Sequence, residues 1–225
     1  MKDIFLLDMD DTLLDFKRAE EVNFFAALGQ FGLAANSDTF WRFHAINEAL
    51  WRAFERGETT REKLKVQRFA SLFAEYGIAA DPEEVARAYF ENFHDICFPF
   101  DGALEFLAEL KKRGRAYIVT NGSTNIQKRH IADAGFAPYL SGVFISEEIG
   151  ANKPSVEFAS YVETHIENYE RRRAVWLGDS LTSDMGCAKN AGVDFILYSP
   201  HTMPEAYRGK CAKDYGEVLS IIDEM

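Results

Sequence analysis

Four apolar residues, Ile4-Phe5-Leu6-Leu7, run straight into Asp8-Met9-Asp10-Asp11-Thr12. A short, continuous apolar run bounded by polar residues predicts a strand buried on both faces, the kind found inside a parallel sheet. In an open α/β sheet ligands sit just beyond the carboxyl ends of the strands, which is where Asp8 and Asp10 fall. Two carboxylates this close repel each other and resist burial. A cation between them removes the conflict, and Mg²⁺ takes oxygen ligands of this kind. One Asp can then act as a nucleophile while the other moves protons. The same residues also suit a plain acidic loop after a strand, so the rest of the chain has to decide.

Beyond Phe16 the apolar spacing becomes helical. Val22, Phe25 and Ala26, then Phe43, Ile46, Leu50 and Phe54, then Val66, Phe69, Ala70 and Phe73, and finally Val85, Ala88, Tyr89 and Phe93 each form one stripe. Thr59-x-x-Glu62 fits a capping box, Asp81-Pro82-x-Glu84 offers an N-cap with a first-turn proline, and Gly57 and Gly77 sit where helices stop. Residues 17–95 therefore read as a small helical bundle inserted after the first strand. From residue 96 onward strands and helices alternate. The expected strands are 115–120, 143–145, 174–177 and 194–198. The expected helices begin after Asp101, at Ser123 or Thr124, at Ser155 and at Ser183, with a last one over 218–222. This alternation predicts an α/β fold: a Rossmann-like parallel sheet from residues 1–16 and 96–225, wound by right-handed crossovers.

Three strand ends then carry polar groups: Asp8/Asp10, Thr120-Asn121 and Asp179. In a doubly wound sheet these ends face one crevice. Thr120 can donate a hydroxyl, and the Asn121-Gly122 amides open towards a helix start suited to a phosphate. Its plainer role is a strand-end threonine satisfying local backbone. Lys153, in the loop Gly150-Ala151-Asn152-Lys153-Pro154, is either a surface lysine or a counter-charge for a phosphate and an attacking carboxylate. Asp179 and Asp184 are either caps of the following helix or, with Asp8 and Asp10, ligands for Mg²⁺.

These four pieces occur in the order and approximate spacing of the four motifs of haloacid dehalogenase (HAD)-like phosphohydrolases. The sequence resembles that superfamily along essentially its whole length, with the helical insert at the position of a type 1 cap. The resemblance implies that Asp8 is the nucleophile and forms an aspartyl-phosphate, and that Asp10 protonates the leaving alcohol and then activates water. It implies Mg²⁺ held by Asp8, the Asp10 main-chain carbonyl and Asp179, with Asp184 ligating or supporting. Thr120 and Lys153 would hold the phosphoryl group. Asp10 and Gly178-Asp179 favour phosphatases over the metal-free dehalogenases. A sugar phosphomutase, a phosphatase for phosphoglycolate or a sugar phosphate, and a non-catalytic HAD-like binding protein are the alternatives.

In the insert, Ala45-Ile46-Asn47-Glu48-Ala49-Leu50-Trp51, Gly57 and Gln67-Arg68-Phe69, together with Ser146-Glu147-Glu148-Ile149-Gly150 in the core, resemble the subfamily I pyrimidine 5′-nucleotidases. That resemblance implies UMP, dUMP and dTMP as substrates and a role in clearing noncanonical nucleotides. A nucleobase needs a flat apolar wall and a few polar groups. Trp41, Trp51 and Phe16 offer the wall and Asn47 a polar edge, although Asn47 and Trp51 also suit ordinary bundle positions. Arg42, Arg52 and Arg68 either touch a nucleotide or balance nearby glutamates.

Composition agrees with a globular, ordered chain: 225 residues, 47% hydrophobic and 27% charged, with 19 Phe. A net charge of −11 argues against a nucleic-acid polymer or an anionic membrane as partner, but not against a small phosphate ester met by local cations. Three scattered cysteines without zinc spacing suit reduced thiols in a cytoplasmic protein, and no apolar run is long enough to span a bilayer. A monomer or homodimer is the expected assembly.

Overall fold

The computed structural model describes residues 1–201 and 206–225. In chain order the elements are β1 (Ile4–Leu7), α1 (Phe16–Gln30), α2 (Ser37–Glu55), α3 (Arg61–Tyr76), α4 (Pro82–Phe93), α5 (Ala103–Arg113), β2 (Arg115–Thr120), α6 (Thr124–Asp133), β3 (Leu140–Ile145), α7 (Ser146–Ile149), α8 (Val156–His165), β4 (Ala174–Gly178), α9 (Asp184–Ala191), β5 (Asp194–Tyr198), β6 (Lys210–Ala212) and α10 (Tyr215–Asp223). The chain divides into two compact units, Met1–Asp15 with Phe98–Met225, and Phe16–Cys97.

The first unit is a parallel sheet with strand order β3-β2-β1-β4-β5-β6. Ile4–Leu7 pair in register with Arg115–Ile118 on one side and Ala174–Leu177 on the other. β1 is thus central, which is why its four residues are all apolar and buried. Ile4 and Leu6 pack with Tyr117, Val119 and Trp176 against Phe158 and Val162 of α8 and Cys187, Ala188 and Ala191 of α9. Phe5 and Leu7 point to the opposite face by the two-residue alternation of a strand and are equally buried. The winding runs outward from β1 through β2 to β3, then returns to the far side of β1 at β4. Ligands of open α/β sheets sit at such a reversal, and here the ends of β1 and β4 carry Asp8 and Asp179.

The second unit is helical. α1 packs on α4, α2 on α3 and α3 on α4. Its core is aromatic: the Phe24 and Phe43 rings lie 4.8 Å apart, Phe43 and Phe69 5.0 Å, and Phe69 and Tyr89 5.4 Å. Asn36 and Thr39 form a reciprocal capping box at α2, and Asp81 accepts from the Glu83 amide ahead of Pro82 at α4. Gly77 closes α3 in the left-handed region at φ 64°, open to glycine without steric penalty.

Several boundaries differ from the sequence reading. The N-cap of α3 is Thr60, accepting from the Lys63 amide, and not Thr59. Asp101 does not cap α5; the cap position is Gly102, at φ 81°, without a side-chain bond. β3 begins at Leu140 and not at Val143; its first residues are partly exposed and lack a continuous apolar run, so the sequence pattern misses them. β6, three residues at the sheet edge, leaves no periodic signal at all. Among the described residues no helix is long and apolar enough to cross a membrane.

Candidate active site

The chain turns sharply after β1. The Asp8 amide donates to the Leu177 carbonyl at 2.9 Å, extending the β1–β4 ladder by one residue. The Met9 carbonyl then accepts from both Leu13 and Leu14, at 2.8 and 2.9 Å. Closing that coil places Asp11 in the left-handed region at φ 55°, a conformation Asp tolerates better than most residues. Asp8 and Asp10 therefore leave the strand end in different directions.

Asp8 is buried, and its Oδ1 accepts from Lys153 Nζ at 2.6 Å. The same ammonium donates to Asp184 Oδ1 at 2.6 Å. Lys153 is only 2% exposed, so it is not a surface lysine. Its loop is held by Asn121, whose side chain donates to the Lys153 carbonyl at 2.9 Å and accepts from the Lys153 amide at 2.8 Å. Asp184 is fully enclosed: Trp176 Nε1 and the Ser180 amide donate to it at 3.3 and 3.2 Å. A Cβ on Gly178 would lie 2.3 Å from the Asp184 carboxylate, so only glycine at the end of β4 admits that side chain. Thr120 is buried, and its Oγ1 accepts from the Gly122 amide at 3.0 Å, leaving the hydroxyl proton to donate.

Oxygen atoms of Asp8, Asp179 and Asp184 all lie within 4.8 Å of one another. Burial, and then the Asp184 charge, push the Asp8 carboxyl up to about 8 against the opposing pull of Lys153. Asp179 is exposed. The protein crowding its carboxyl, and then Asp8, Asp184 and Asp11, still hold its pKa well above the ordinary range. Burial works against the Lys153 charge too, but Asp184 and Asp8 outweigh it and raise its pKa. Three carboxylates converge beside one ammonium, and burial first, then the neighbouring negative charge, raises Asp8 and Asp179. All the donors are hard oxygens, so this set fits Mg²⁺.

The Asp10 carboxylate lies outside that cluster. Its Oδ2 accepts from Gln127 Nε2 at 2.8 Å. Burial raises its pKa, opposed by the charge of His130 and by the Gln127 bond. The two aspartates thus have separate surroundings, Asp8 facing the Lys153 ammonium and Asp10 the Gln127 amide.

Asn47 and Trp51 lie in the helical unit. Asn47 is buried and donates to Glu20 Oε1 at 2.5 Å, and His44 Nδ1 meets the other Glu20 oxygen at 2.5 Å. Trp51 is half-buried, edge-on to Phe54 at 5.7 Å, with the Arg61 guanidinium 6.0 Å over its ring. Arg42 pairs with Glu75 and Arg52 with Glu48, both exposed, whereas Arg68 is buried.

The family model described as haloacid dehalogenase-like hydrolase matches residues 2–192. This chain belongs to the HAD-like hydrolases. Among curated HAD-like relatives, the pyrimidine 5′-nucleotidase PynA of Streptococcus pneumoniae is 34% identical over 223 residues, 97% of this chain and 94% of the relative. The HAD-hydrolase YfnB of Bacillus subtilis is 34% identical over 202 residues, 88% of this chain and 85% of the relative. The crystal structure of YfnB, described as bound to magnesium, matches with a TM-score of 0.93 and 30% identity over 99% of each chain. The L-2-haloacid dehalogenase of Xanthobacter autotrophicus, 16% identical over 100% of each chain with a TM-score of 0.78, shares the fold.

Sequence reasoning on this HAD-like hydrolase passed over Gln127 and Trp176. Trp176 reads as one more apolar residue of a buried strand, and Gln127 as a polar residue of a helix. Their roles come from partners 8 and 117 residues away in the chain.

Proposed function

We propose that this hydrolase is a Mg²⁺-dependent phosphomonoesterase acting through an aspartyl-phosphate on Asp8, with pyrimidine nucleoside 5′-monophosphates (UMP, dUMP and dTMP) as substrates. The observation that carries the reading is the separation of the two aspartates. Asp8 stands against Lys153 in a three-carboxylate cluster, and Asp10, two residues on, stands apart from it. Pairs of titratable groups in contrasting environments mark division into nucleophile and acid–base.

Asp8, Asp179 and Asp184 would hold Mg²⁺, with the Asp10 main-chain carbonyl. The bound cation supplies neutralisation of the carboxylates and of the phosphate charge. An Asp8 oxygen forms a bond to phosphorus as the phosphorus–alcohol bond breaks, and Asp10 gives its proton to the alcohol oxygen. Water then attacks the aspartyl-phosphate, its proton passes to Asp10, and Asp8 is released with inorganic phosphate. Lys153, the Thr120 hydroxyl and the Asn121-Gly122 amides would hold the phosphoryl oxygens. Asn47 and Trp51 of the helical unit would select the base. A small-molecule substrate, a reducing cytoplasmic setting for three free cysteines, and a monomer or homodimer complete the reading.

The test is phosphate release from UMP, dUMP, dTMP, AMP, phosphoglycolate and sugar phosphates, each with Mg²⁺ and with EDTA. Mg²⁺-dependent release concentrated on the pyrimidine nucleotides is expected. Release from phosphoglycolate or sugar phosphates alone keeps the chemistry and discards the nucleotide assignment; release undiminished by EDTA overturns the metal requirement.

A further inference from the structure

Gln127 sits in the first turn of α6, just past the end of β2. Its amide nitrogen donates to the Ser123 carbonyl at 2.9 Å, and its side chain is turned inward, with the residue 2% exposed. There its Nε2 donates to Asp10 Oδ2 at 2.8 Å. Burying an amide for a single bond is costly, so an apolar residue would serve packing better. The neighbouring glycine makes the reach possible. A Cβ on Gly122 would lie 2.0 Å from Gln127 Nε2 and 2.5 Å from its Cδ and Cγ. The other Asp10 oxygen, Oδ1, is enclosed and has no hydrogen-bond partner among the described residues.

We propose that Gln127 is a positioning residue that selects the working oxygen of Asp10: it occupies Oδ2 and leaves Oδ1 to exchange the proton. This rests on the reading of Asp10 as acid and base. An amide N–H only donates, so Oδ2 is committed as an acceptor and a proton on Asp10 resides on Oδ1. With the amide turned over, a carbonyl oxygen would face an ionised carboxylate, two acceptors in contact. The Oδ1 proton goes to the alcohol oxygen as the phosphorus–alcohol bond breaks. The same oxygen takes the proton of the attacking water as the bond from phosphorus to Asp8 is cleaved. In this role Gln127 acts through Asp10 and needs no contact with the substrate.

The experiment compares rates of enzyme phosphorylation from two esters in single turnover: the best alkyl phosphate of the panel above, and p-nitrophenyl phosphate. The p-nitrophenolate leaves without needing an acid. Gln127→Leu is expected to slow phosphorylation by the alkyl ester about tenfold or more, a part of the roughly 10²–10⁴-fold that a positioned acid contributes. Phosphorylation by the aryl ester should change less than about threefold, while steady-state turnover of both esters falls because water activation also needs Oδ1. Gln127→Asn, whose shorter side chain withdraws the amide from Oδ2, should reproduce the pattern. Equal losses on both esters, or no loss on the alkyl ester, overturn the proposal. Asp10→Asn in the same assay separates the two ideas. If Asp10→Asn spares the alkyl ester, the acid–base reading itself fails. If it shows the leaving-group split and Gln127→Leu does not, only the Gln127 role is lost.

Discussion

Replacing Asp8 with Asn should make the metal-free protein more stable, and more so as pH rises. Asp8 is 6% exposed, and burial with the nearby Asp184 moves its carboxyl from 3.8 to about 8. Between those values the folded chain binds a proton at Asp8 that the unfolded chain has released, so stability falls as pH rises across the window. At about 1.4 kcal/mol per unit, a span of roughly four units costs on the order of 5 kcal/mol at pH 8 and almost nothing near pH 4. Asparagine has the same shape and no charge to bury, so the mutant escapes the cost. The assay is urea denaturation in EDTA at several pH values, read as the difference between wild type and Asp8→Asn, which cancels the other titrating groups. The gap should open from pH 5 to pH 8. Mg²⁺ should then narrow it, because the wild type gains about 2.7 kcal/mol at a hundred times Kd and the mutant gains less. A flat difference across that range in EDTA would refute the claim that burial opposes the Asp8 charge. A gap that Mg²⁺ leaves unchanged would refute Asp8 as a metal ligand.

Lys153→Met leaves Asp184 enclosed without its cation, and breaking such a buried pair costs about 3–5 kcal/mol; urea melts should show it, along with loss of phosphatase activity. Gly178→Ala forces a Cβ to within 2.3 Å of the Asp184 carboxylate, an overpacking expected to cost about 1–3 kcal/mol and to weaken Mg²⁺ binding by calorimetry. In the helical unit the hydrogen bond to Glu20 raises the His44 pKa against partial burial. Its stabilisation is full below the ordinary histidine value and lost as pH rises through the raised one. Thermal melts of His44→Gln should lack that pH dependence; an unchanged profile would remove His44 as its source.

The candidate site was legible where chemistry coincides with a strand end. Asp8, Thr120 and Asp179 each follow an apolar run, and a parallel sheet brings the carboxyl ends of its strands together, so their convergence follows from local pattern and topology. Gly178 was legible as a strand terminus but not as the gap that admits Asp184. Lys153, Asp184 and Asn47 each had two readings from sequence. The structure encloses Lys153 and Asp184 side by side and ties Asn47 to Glu20. β6 and the start of β3 escaped because edge strands are half exposed and need no apolar run.

The sequence by itself determined the α/β alternation, the helical insertion after β1, and the order in which carboxylates, threonine and lysine appear at chain breaks. Those are properties of neighbours along the chain, written in periodicity and punctuation. Only the tertiary structure decided that one ammonium bridges Asp8, 145 residues away, and Asp184, 31 residues away. It also decided that Gln127 turns inward to Asp10, across 117 residues. Burial and hydrogen bonding act through space, so the charge, exposure and partner of a side chain are set by what folds against it, and no local pattern records that.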